Sequence, residues 1–435
     1  MSCKERKTGM GKVLVVVVCL LSSMLLSGNA RAQNDTAKYE PKVDYPLFKE
    51  IEKRDDSLQA EQDSITAAIR KRQKAEKELA DSTKQELRFD VSGIDKPGAP
   101  EEFATVFHFP PTPQDWSSTC WSFSGTSFLE SEVFRLTGHK IKLSEMYTVY
   151  FEYLEKVRRF IRERGDSRVG PGSEEEAVPR IMKLYGAVPR DVYDGLDPAF
   201  PHYDHTNLER ELDACVDYIE GNDLWDEDAA LARVRIILDK YIGKPPENFK
   251  YDGKTYTPRE FVALVLKVNP DDYVCAMSTL KVPFYTRGLF DVGDNWQRDS
   301  SYLNLPLDVW YDVLRTALQR GYSVALGGGI SEPGYYGAEN VGVIPDFDIP
   351  QDYINQNSRE YRIYRHVTGD DHGLHVVGFL RKGDRDWFLV KDSGSGSRRW
   401  GRFRGYFFFR DDFVRLKMLT IMVHKDIIES VAGSN

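Results

Sequence analysis

The stretch Gln114-Asp-Trp-Ser-Ser-Thr-Cys120-Trp-Ser-Phe123 carries more specific chemical information than any other part of the chain. It places a side-chain amide six residues before a cysteine, and the cysteine begins an apolar segment with helical spacing. A thiol at the N-terminus of a helix lies at the positive end of the helix dipole, which favours the nucleophilic thiolate. The sequence should therefore also contain a base for Cys120 and a group that orients this base.

Both groups are found in the C-terminal third, where short apolar runs bounded by Gly, Asp and Ser predict β-strands. His372 begins one predicted strand, and Asp392 directly follows the next one. We expect His372 to take the thiol proton and Asp392 to hold the imidazole in one tautomer. The Gln114 amide and the backbone N–H of Cys120 would donate to a developing oxyanion.

The order of the predicted elements indicates an α+β protein. Helical spacing after Cys120 ends at Gly138, Ser144 is the expected N-cap of a second helix, and a third helix is predicted from about Glu174 to Tyr185. The middle region reads as mixed, with helices expected over 227–241, 257–268 and 309–319. Strands dominate after residue 323, and helices followed by antiparallel strands are typical of α+β folds.

Gly327-Gly-Gly329 follows a predicted strand. It lacks the lysine, the Ser or Thr and the helix of a phosphate-binding loop. We interpret it as a cleft wall at which the backbone meets a substrate.

Residues 1–32 have the pattern of a signal peptide: a basic start, an apolar run over 13–26 and an Ala30-Arg-Ala32 cleavage pattern. The apolar run is shorter than the ~20 residues of a membrane-spanning helix. The sequence therefore predicts an exported protein, periplasmic or secreted, without a stable membrane anchor.

The charge of the chain disfavours several partners. Its formal net charge is −9, and removal of residues 1–32, which carry five basic and one acidic residue, leaves about −13. This balance argues against nucleic acid as a partner. We expect no cofactor and no metal: His202-Tyr-Asp204-His205 has no further ligand at a supporting spacing.

Three of the five cysteines remain after the predicted cleavage, because Cys3 and Cys19 lie in the signal peptide. An odd number leaves at least one thiol unpaired within the chain. We expect Cys120 to be the free and reactive thiol, with Cys215 and Cys275 either bonded or buried.

Residues 33–95 are predicted to be a charged helical extension or a prosegment. From Leu47 to Leu87 the pattern is helical, with a narrow apolar row. We favour a peripheral helix over a segment that covers the active site. The breaker cluster Lys96-Pro-Gly-Ala-Pro100 marks the expected domain boundary.

Several of these motifs together resemble the papain superfamily of cysteine peptidases. They are Gln114-x5-Cys120-Trp-Ser-Phe123, Leu143-Ser-Glu145, Asp371-His-Gly373 and Lys391-Asp-Ser393. Within the superfamily the chain is most similar to the bleomycin hydrolase / aminopeptidase C branch over about 96–425. This similarity rests on Lys96-Pro-Gly-Ala-Pro-Glu-Glu-Phe103, Tyr251-Asp-Gly-Lys-Thr-Tyr-Thr-Pro258, Asn269-Pro-Asp-Asp-Tyr273 and Tyr302-Leu-Asn-Leu-Pro306.

The resemblance implies a papain-like two-lobed fold over 96–430, with an inserted region at about 196–320. A helical lobe would carry Cys120, and an antiparallel β lobe would carry the base and its orienter. It implies hydrolysis of peptide bonds through an acyl-enzyme, directed at oligopeptides or at amino termini, with Gln114 as oxyanion donor. His372 matches the position of the base, whereas His375 lies three residues further on and faces the other side of the strand.

Three departures from the family pattern are expected to matter. The orienter is Asp392 where the family usually has Asn, and Gly394 replaces a Trp that shields it, which should expose Asp392. The C-terminal arm, whose carboxylate binds the substrate amine in this branch, is expected to have no counterpart. Two alternative functions therefore stay open. The chain could be an acyltransferase or transglutaminase-like enzyme, or a catalytically weak homologue that acts as a binding protein. A homo-oligomer is also left open.

Overall fold

The computed structural model describes residues 37–85 and 90–433, without the side chain of Trp400. The predicted signal peptide, 1–32, lies outside the described residues. The chain divides into two units, Met1–Leu87 and Arg88–Asn435. The first unit contains the helix α1, Pro46–Thr83, and every one of its side chains is exposed. The predicted boundary at Lys96 and the role of the extension stay predictions.

In the described part of the second unit, helices predominate in the first half of the sequence and strands in the second half. Its helices are α2 Cys120–Thr137, α3 Glu145–Arg162, α4 Ala177–Tyr185, α5 Thr206–Gly221, α6 Glu227–Ile242, α7 Pro258–Phe261, α8 Leu307–Gln319, α9 Gln356–Tyr364, α10 Gly396–Trp400, α11 Asp411–Lys417 and α12 Lys425–Ala432. Its strands are β1 Ala104–Thr105, β2 Phe249–Tyr251, β3 Lys254–Tyr256, β4 Tyr273–Met277, β5 Thr286–Gly288, β6 Tyr302–Asn304, β7 Val324–Gly328, β8 Tyr335–Tyr336, β9 Val341–Gly342, β10 His372–Lys382, β11 Arg385–Lys391, β12 Tyr406–Arg410 and β13 Met418–His424.

One large mixed sheet organises this unit, in the order β5-β6-β4-β13-β7-β10-β11-β12-β9-β8, with β1 paired to β10. Strand β10 lies near the centre and pairs antiparallel with β7 and β11. Strands β4, β5 and β6 come from the region at about 196–320, so this region supplies one edge of the sheet. A separate hairpin is formed by β2 and β3.

Two main groups of buried side chains flank the sheet. One lies among the helices and includes Phe128 of α2 and Leu154 of α3. The other packs the sheet against α8 and α12 and includes Trp310, Phe388 and Ile421. Helix α2 is buried continuously from Trp121 to Val133, because it lies between the helices and the sheet.

Most predicted elements are confirmed, and their ends follow local chemistry. Gly138 ends α2 with φ of 72°, in the left-handed region that glycine favours. The Ser144 side chain accepts the backbone N–H of Tyr147 at 3.0 Å and so caps α3. The third helix starts later than predicted, at Ala177, because the preceding residues form a turn. The helix expected over 257–268 is α7 followed by a wider π turn, Val262–Leu266.

The interpretation of Gly327-Gly-Gly329 as a cleft wall is wrong. Gly327 and Gly328 are buried in β7, at the centre of the sheet. A Cβ on Gly327 would lie 2.6 Å from Oγ1 of Thr420, and one on Gly328 would lie 2.6 Å from Cα of Met418. These glycines therefore allow β7 to pack closely against β13.

The cysteines of the described residues form no disulfide: Cys120, Cys215 and Cys275 are all free. Of the two alternatives left open for Cys215 and Cys275, a bond is thus excluded. Within 37–85 and 90–433, no helix is both long and apolar enough to span a bilayer.

Candidate active site

The loop before α2 places Gln114 and Cys120 at the same end of the helix. Asp115 and Ser118 have φ angles of 47° and 57°, a left-handed conformation that is uncommon for residues with side chains. The loop is held by the backbone N–H of Trp116, which donates to the carbonyl of Tyr203 at 2.9 Å. This tight turn brings the amide back towards the first residue of α2.

Gly373 allows α2 to approach β10 closely enough to join the two halves of the site. Its N–H donates to Sγ of Cys120 at 3.4 Å. A Cβ at this position would lie 2.7 Å from Oε1 of Glu175, 2.8 Å from Oγ of Ser124 and 3.1 Å from Cα of Trp121. Only glycine leaves room for this contact, which positions the preceding residue, His372, beside the thiol.

The side chain of His372 contacts that of Asp392. Its Nε2 lies 2.7 Å from Oδ1 of Asp392, and both side chains are almost fully buried. Since Nε2 contacts the carboxylate, Nδ1 is the ring nitrogen left for the thiol. The structure thus brings Cys120, His372 and Asp392 together in the order thiol, imidazole, carboxylate.

The expectation that Gly394 exposes Asp392 is wrong, because Asp392 is only 1% exposed. Its Oδ1 also accepts the N–H of Gly394 at 2.6 Å, and its Oδ2 accepts the hydroxyl of Tyr335 at 2.5 Å. The Tyr335 ring stacks on Phe407 at a centroid distance of 4.1 Å. Tyr335, which comes from a different segment of the chain, therefore shields the carboxylate from solvent.

These contacts determine the charge state of the pair. Burial by itself lowers the pKa of His372, but the negative charges of Asp392 and Cys120, and hydrogen bonds with both, raise it well above 6.5. For Asp392, burial raises the pKa, whereas the charge of His372 and the three donors lower it below 3.8 overall. The raised pKa of His372 gives a contribution to stability that is fully present below about pH 6.5 and is lost as the pH rises through the folded-state pKa of His372. The lowered pKa of Asp392 gives a contribution that is present above about pH 4 and is lost as the pH falls through the folded-state pKa of Asp392.

Ser393 orients the Gln114 amide. Its hydroxyl donates to Oε1 of Gln114 at 2.6 Å, and the backbone N–H of Gln114 donates to the carbonyl of Ser393 at 2.9 Å. With the carbonyl oxygen occupied, the NH₂ group of Gln114 is directed to the cleft that it lines with Cys120. This assignment of the amide follows from the hydrogen bonds.

The cleft at Cys120 has a volume of about 380 Å³. One wall is formed by Gly170 and Gly172, whose carbonyls both accept hydrogen bonds from the buried amine of Lys156. The carbonyl of Pro171 accepts the indole N–H of Trp121 at 2.9 Å. This wall of the cleft, residues 170–172, is therefore a backbone segment held by hydrogen bonds from α2 and α3.

A loop around residue 294 closes part of this cleft. The amide of Asn295 donates to the carbonyls of Phe290 and Asp299 at 2.8 and 3.0 Å, and the indole of Trp296 donates to Glu152 at 2.6 Å. These bonds anchor Asp294 directly against Gly172, where a Cβ would collide with the carboxylate.

Asp294 has no hydrogen-bond or ion-pair partner among the described residues. Burial raises its pKa, while the more distant charges of Lys156 and Arg168 lower it. It lines the same cleft as Cys120 and His372. The cleft therefore contains a fixed acidic group that is available to a ligand.

His375, the competing histidine, lies outside the cleft. It is fully buried, and its Nδ1 lies 2.9 Å from Oγ of Ser127 in α2. The same hydroxyl accepts a hydrogen bond from Nζ of Lys391 at 2.5 Å. Burial lowers the pKa of His375 well below 6.5, as does the nearby charge of Lys391. His375 therefore holds the sheet against α2.

The described residues contain no group of three or more His, Cys, Asp or Glu side chains arranged to hold a metal ion. His205 of the His202-Tyr-Asp204-His205 segment is buried and belongs to no such group within the described residues.

Sequence reasoning missed three residues of the site: Ser393, Tyr335 and Asp294. Ser393 lies in the motif Lys391-Asp-Ser393, so its position directly after Asp392 could have suggested a role for Ser393 in the site. Tyr335 lies 57 residues before Asp392 on a two-residue strand, and Asp294 lies in a loop. No pattern in the sequence connects these last two to the thiol.

Comparison with known proteins identifies the fold. No family model and no curated protein matches the sequence. The crystal structure of PepW from Lactobacillus rhamnosis HN001 superposes with a TM-score of 0.58 at 18% sequence identity, over 76% of this chain and 84% of PepW. The protein has a papain-like α+β fold.

A second structure, the digestive procathepsin L 3 of the Tenebrio molitor larval midgut, is also similar. It has 15% identity and a TM-score of 0.33, over 77% of this chain and 73% of the other. The fold shared with PepW confirms the fold class expected from the sequence. It assigns no reaction to these residues.

Replacement of Tyr335 by Phe should remove one of the three donors to Asp392. We expect the free energy of unfolding at pH 7 to fall by about 1–3 kcal/mol, the cost of leaving a buried charged acceptor short of a donor. Chemical denaturation measures this change. The control is Tyr361→Phe, since Tyr361 is exposed and should lose nothing. Equal stability of both variants would contradict the shielding role of Tyr335.

Proposed function

We propose that the protein is a cysteine peptidase that hydrolyses peptide bonds through a Cys120–His372–Asp392 triad. The observation that carries the proposal is the chain of contacts at the end of α2. The N–H of Gly373 meets the thiol at 3.4 Å, and His372 is held by Asp392 at 2.7 Å. The thiol, the base and the oriented Gln114 amide all line one open cleft.

In the proposed reaction, His372 takes the proton of Cys120, and Sγ attacks the peptide carbonyl. The backbone N–H of Cys120 and the NH₂ group of Gln114 stabilise the oxyanion. His372 then protonates the leaving amine, which departs and leaves a thioester on Cys120. Water, activated by the imidazole, attacks this thioester and releases the acid.

The direct test is labelling of the thiol together with hydrolysis. We expect an electrophilic active-site probe to label the wild type at neutral pH and Cys120→Ser to remain unlabelled and inactive. Cys215→Ser is the matched control, because Cys215 lies on α5, outside the cleft, and its raised pKa disfavours the thiolate.

Absence of labelling in the wild type would favour a non-catalytic binding protein. Product analysis with an added amine separates the remaining alternative, since amide-linked adducts would indicate an acyltransferase, whereas free acid indicates a peptidase.

Asp392→Asn should shift the pH dependence of hydrolysis. The negative charge of Asp392 raises the pKa of His372, so its removal lowers this pKa. Deprotonation of the imidazolium then occurs at lower pH, and the alkaline limb of kcat/KM should move down by about 1–3 pH units. The exposed Asp384, changed to Asn, is the control. An unchanged alkaline limb in Asp392→Asn would argue that His372 is not the titrating group.

We further propose that Asp294 binds the free amino end of a peptide, which makes the enzyme an aminopeptidase. A fixed carboxylate without a partner suits a protonated amine, because a hydrogen bond between charged groups is strong. Since Asp294 and Cys120 line one cleft, a peptide held at Asp294 would extend to the thiol.

Asp294→Asn should lower kcat/KM for substrates with a free amino end about 10- to 100-fold, as expected for loss of a ~1.5–3 kcal/mol contact to a charge. Hydrolysis of the same substrates after N-acetylation should stay unchanged. The control is Asp291→Asn, since Asp291 lies in the same loop but pairs with Lys281 at 3.4 Å. An equal loss for both substrate classes would show that Asp294 has only a structural effect.

A further inference from the structure

Helix α1 has the dimensions of an association element. It contains 38 residues, so it is about 57 Å long. None of its residues is buried, although it carries seven large apolar side chains: Leu47, Phe48, Ile51, Leu58, Ile65, Ile69 and Leu79. Four of these, Ile51, Leu58, Ile65 and Leu79, form one row along the helix. Helices in proteins derive most of their stability from packing of an apolar face. A long helix with an exposed apolar row therefore calls for a partner.

The apolar row has a period of seven. Ile51, Leu58, Ile65 and Leu79 fall at intervals of seven or fourteen residues, and Arg72 occupies the one remaining position. A straight helix drifts by about 20° per seven residues, so a strict period of seven faces one partner only when two helices wind around each other with a left-handed twist. The spacing thus favours a second helix over a flat protein surface.

The five positions of the row, from 51 to 79, are symmetric about Ile65, with Leu58 mirrored by Arg72, and the ends of the helix are symmetric as well. Residues 46–64 precede Ile65 and residues 66–83 follow it. In an antiparallel pair centred on Ile65, each Ile51 would meet Leu79 of the second copy. Ile65 would meet itself, as a two-fold axis requires.

The two halves of α1, before and after Ile65, carry net charges of opposite sign. Residues 46–64 carry six acidic and three basic side chains, a net charge of −3. Residues 66–83 carry five basic and three acidic side chains, a net charge of +2. An antiparallel pair brings each acidic half against a basic half, whereas a parallel pair brings like charges together.

Arg72 fits the antiparallel arrangement and opposes the parallel one. In the antiparallel pair, its position meets Leu58 of the second copy, one turn from Asp55. The aliphatic part of the arginine would cover the leucine while the guanidinium reaches the carboxylate. In a parallel pair, Arg72 of one copy would face Arg72 of the other within the apolar row, and the repulsion between the two charges would be unfavourable.

We propose that α1 joins two copies of this protein as an antiparallel helix pair with its two-fold axis at Ile65. The occupant of the apolar row is a second copy of α1, because the row and the charge pattern are complementary to themselves. This proposal concerns association alone and is independent of the reaction at Cys120.

Cysteine crosslinking tests the polarity of the pair. In the Cys120→Ser background, Ile65→Cys should form a disulfide-linked dimer on mild oxidation. Ile51→Cys alone should not, because two such residues would lie about 42 Å apart along the pair, far beyond disulfide reach. A mixture of Ile51→Cys and Leu79→Cys chains should crosslink to each other. The background protein without an added cysteine is the control.

The mass in solution tests the association itself. The mature wild type should be a dimer by light scattering, and Ile65→Glu should be a monomer. The control is Ala67→Glu, since two residues along a helix turn by about 200° and place position 67 on the opposite face. Labelling of Cys120 should be equal in all three proteins.

Two outcomes would overturn the proposal: a monomeric wild type, or an Ile65→Glu variant with unchanged mass. Self-crosslinking of Ile51→Cys would overturn the antiparallel arrangement and indicate a parallel pair.

Discussion

The close approach of α2 to β10 at Gly373 is the constraint on which the candidate site depends. The helix brings the thiol of Cys120, and the strand brings His372, from positions more than 250 residues apart. They meet because Gly373 has no side chain where Trp121, Ser124 and Glu175 already fill the space. The geometry of the proposed nucleophile and base is thus a packing property of a helix against the central strand of a sheet.

The burial of α2 makes this contact rigid. The helix is enclosed by the other helices on one side and the sheet on the other, and it is tied to the sheet by buried polar contacts of Ser127 with His375 and Lys391. Ser393, at the end of the neighbouring strand, adds the contact to Gln114. Cys120, His372 and Gln114 are therefore held in place by contacts between the helices and the sheet.

Two aspartates at the cleft show how the same side chain serves different purposes. Asp392 is buried and accepts three hydrogen bonds, so its charge is fully engaged in holding His372. Asp294 is held in place by its neighbours, yet its carboxylate has no partner within the described residues. A carboxylate whose hydrogen-bond positions are all occupied can orient a base, whereas a carboxylate without partners can bind a cation.

The sequence by itself determined the α+β class, both ends of α2 and the start of α3, and it predicted Gln114, Cys120, His372 and Asp392 as one set, because these depend on local spacing and residue chemistry. Only the tertiary structure decided that Asp392 is shielded, that Gly327 and Gly328 pack strands, and that Asp294 enters the cleft. Each of these depends on contacts between distant segments, such as Tyr335 with Asp392. Local patterns carry the period of a helix or strand, but they do not specify which side chains meet when the elements pack.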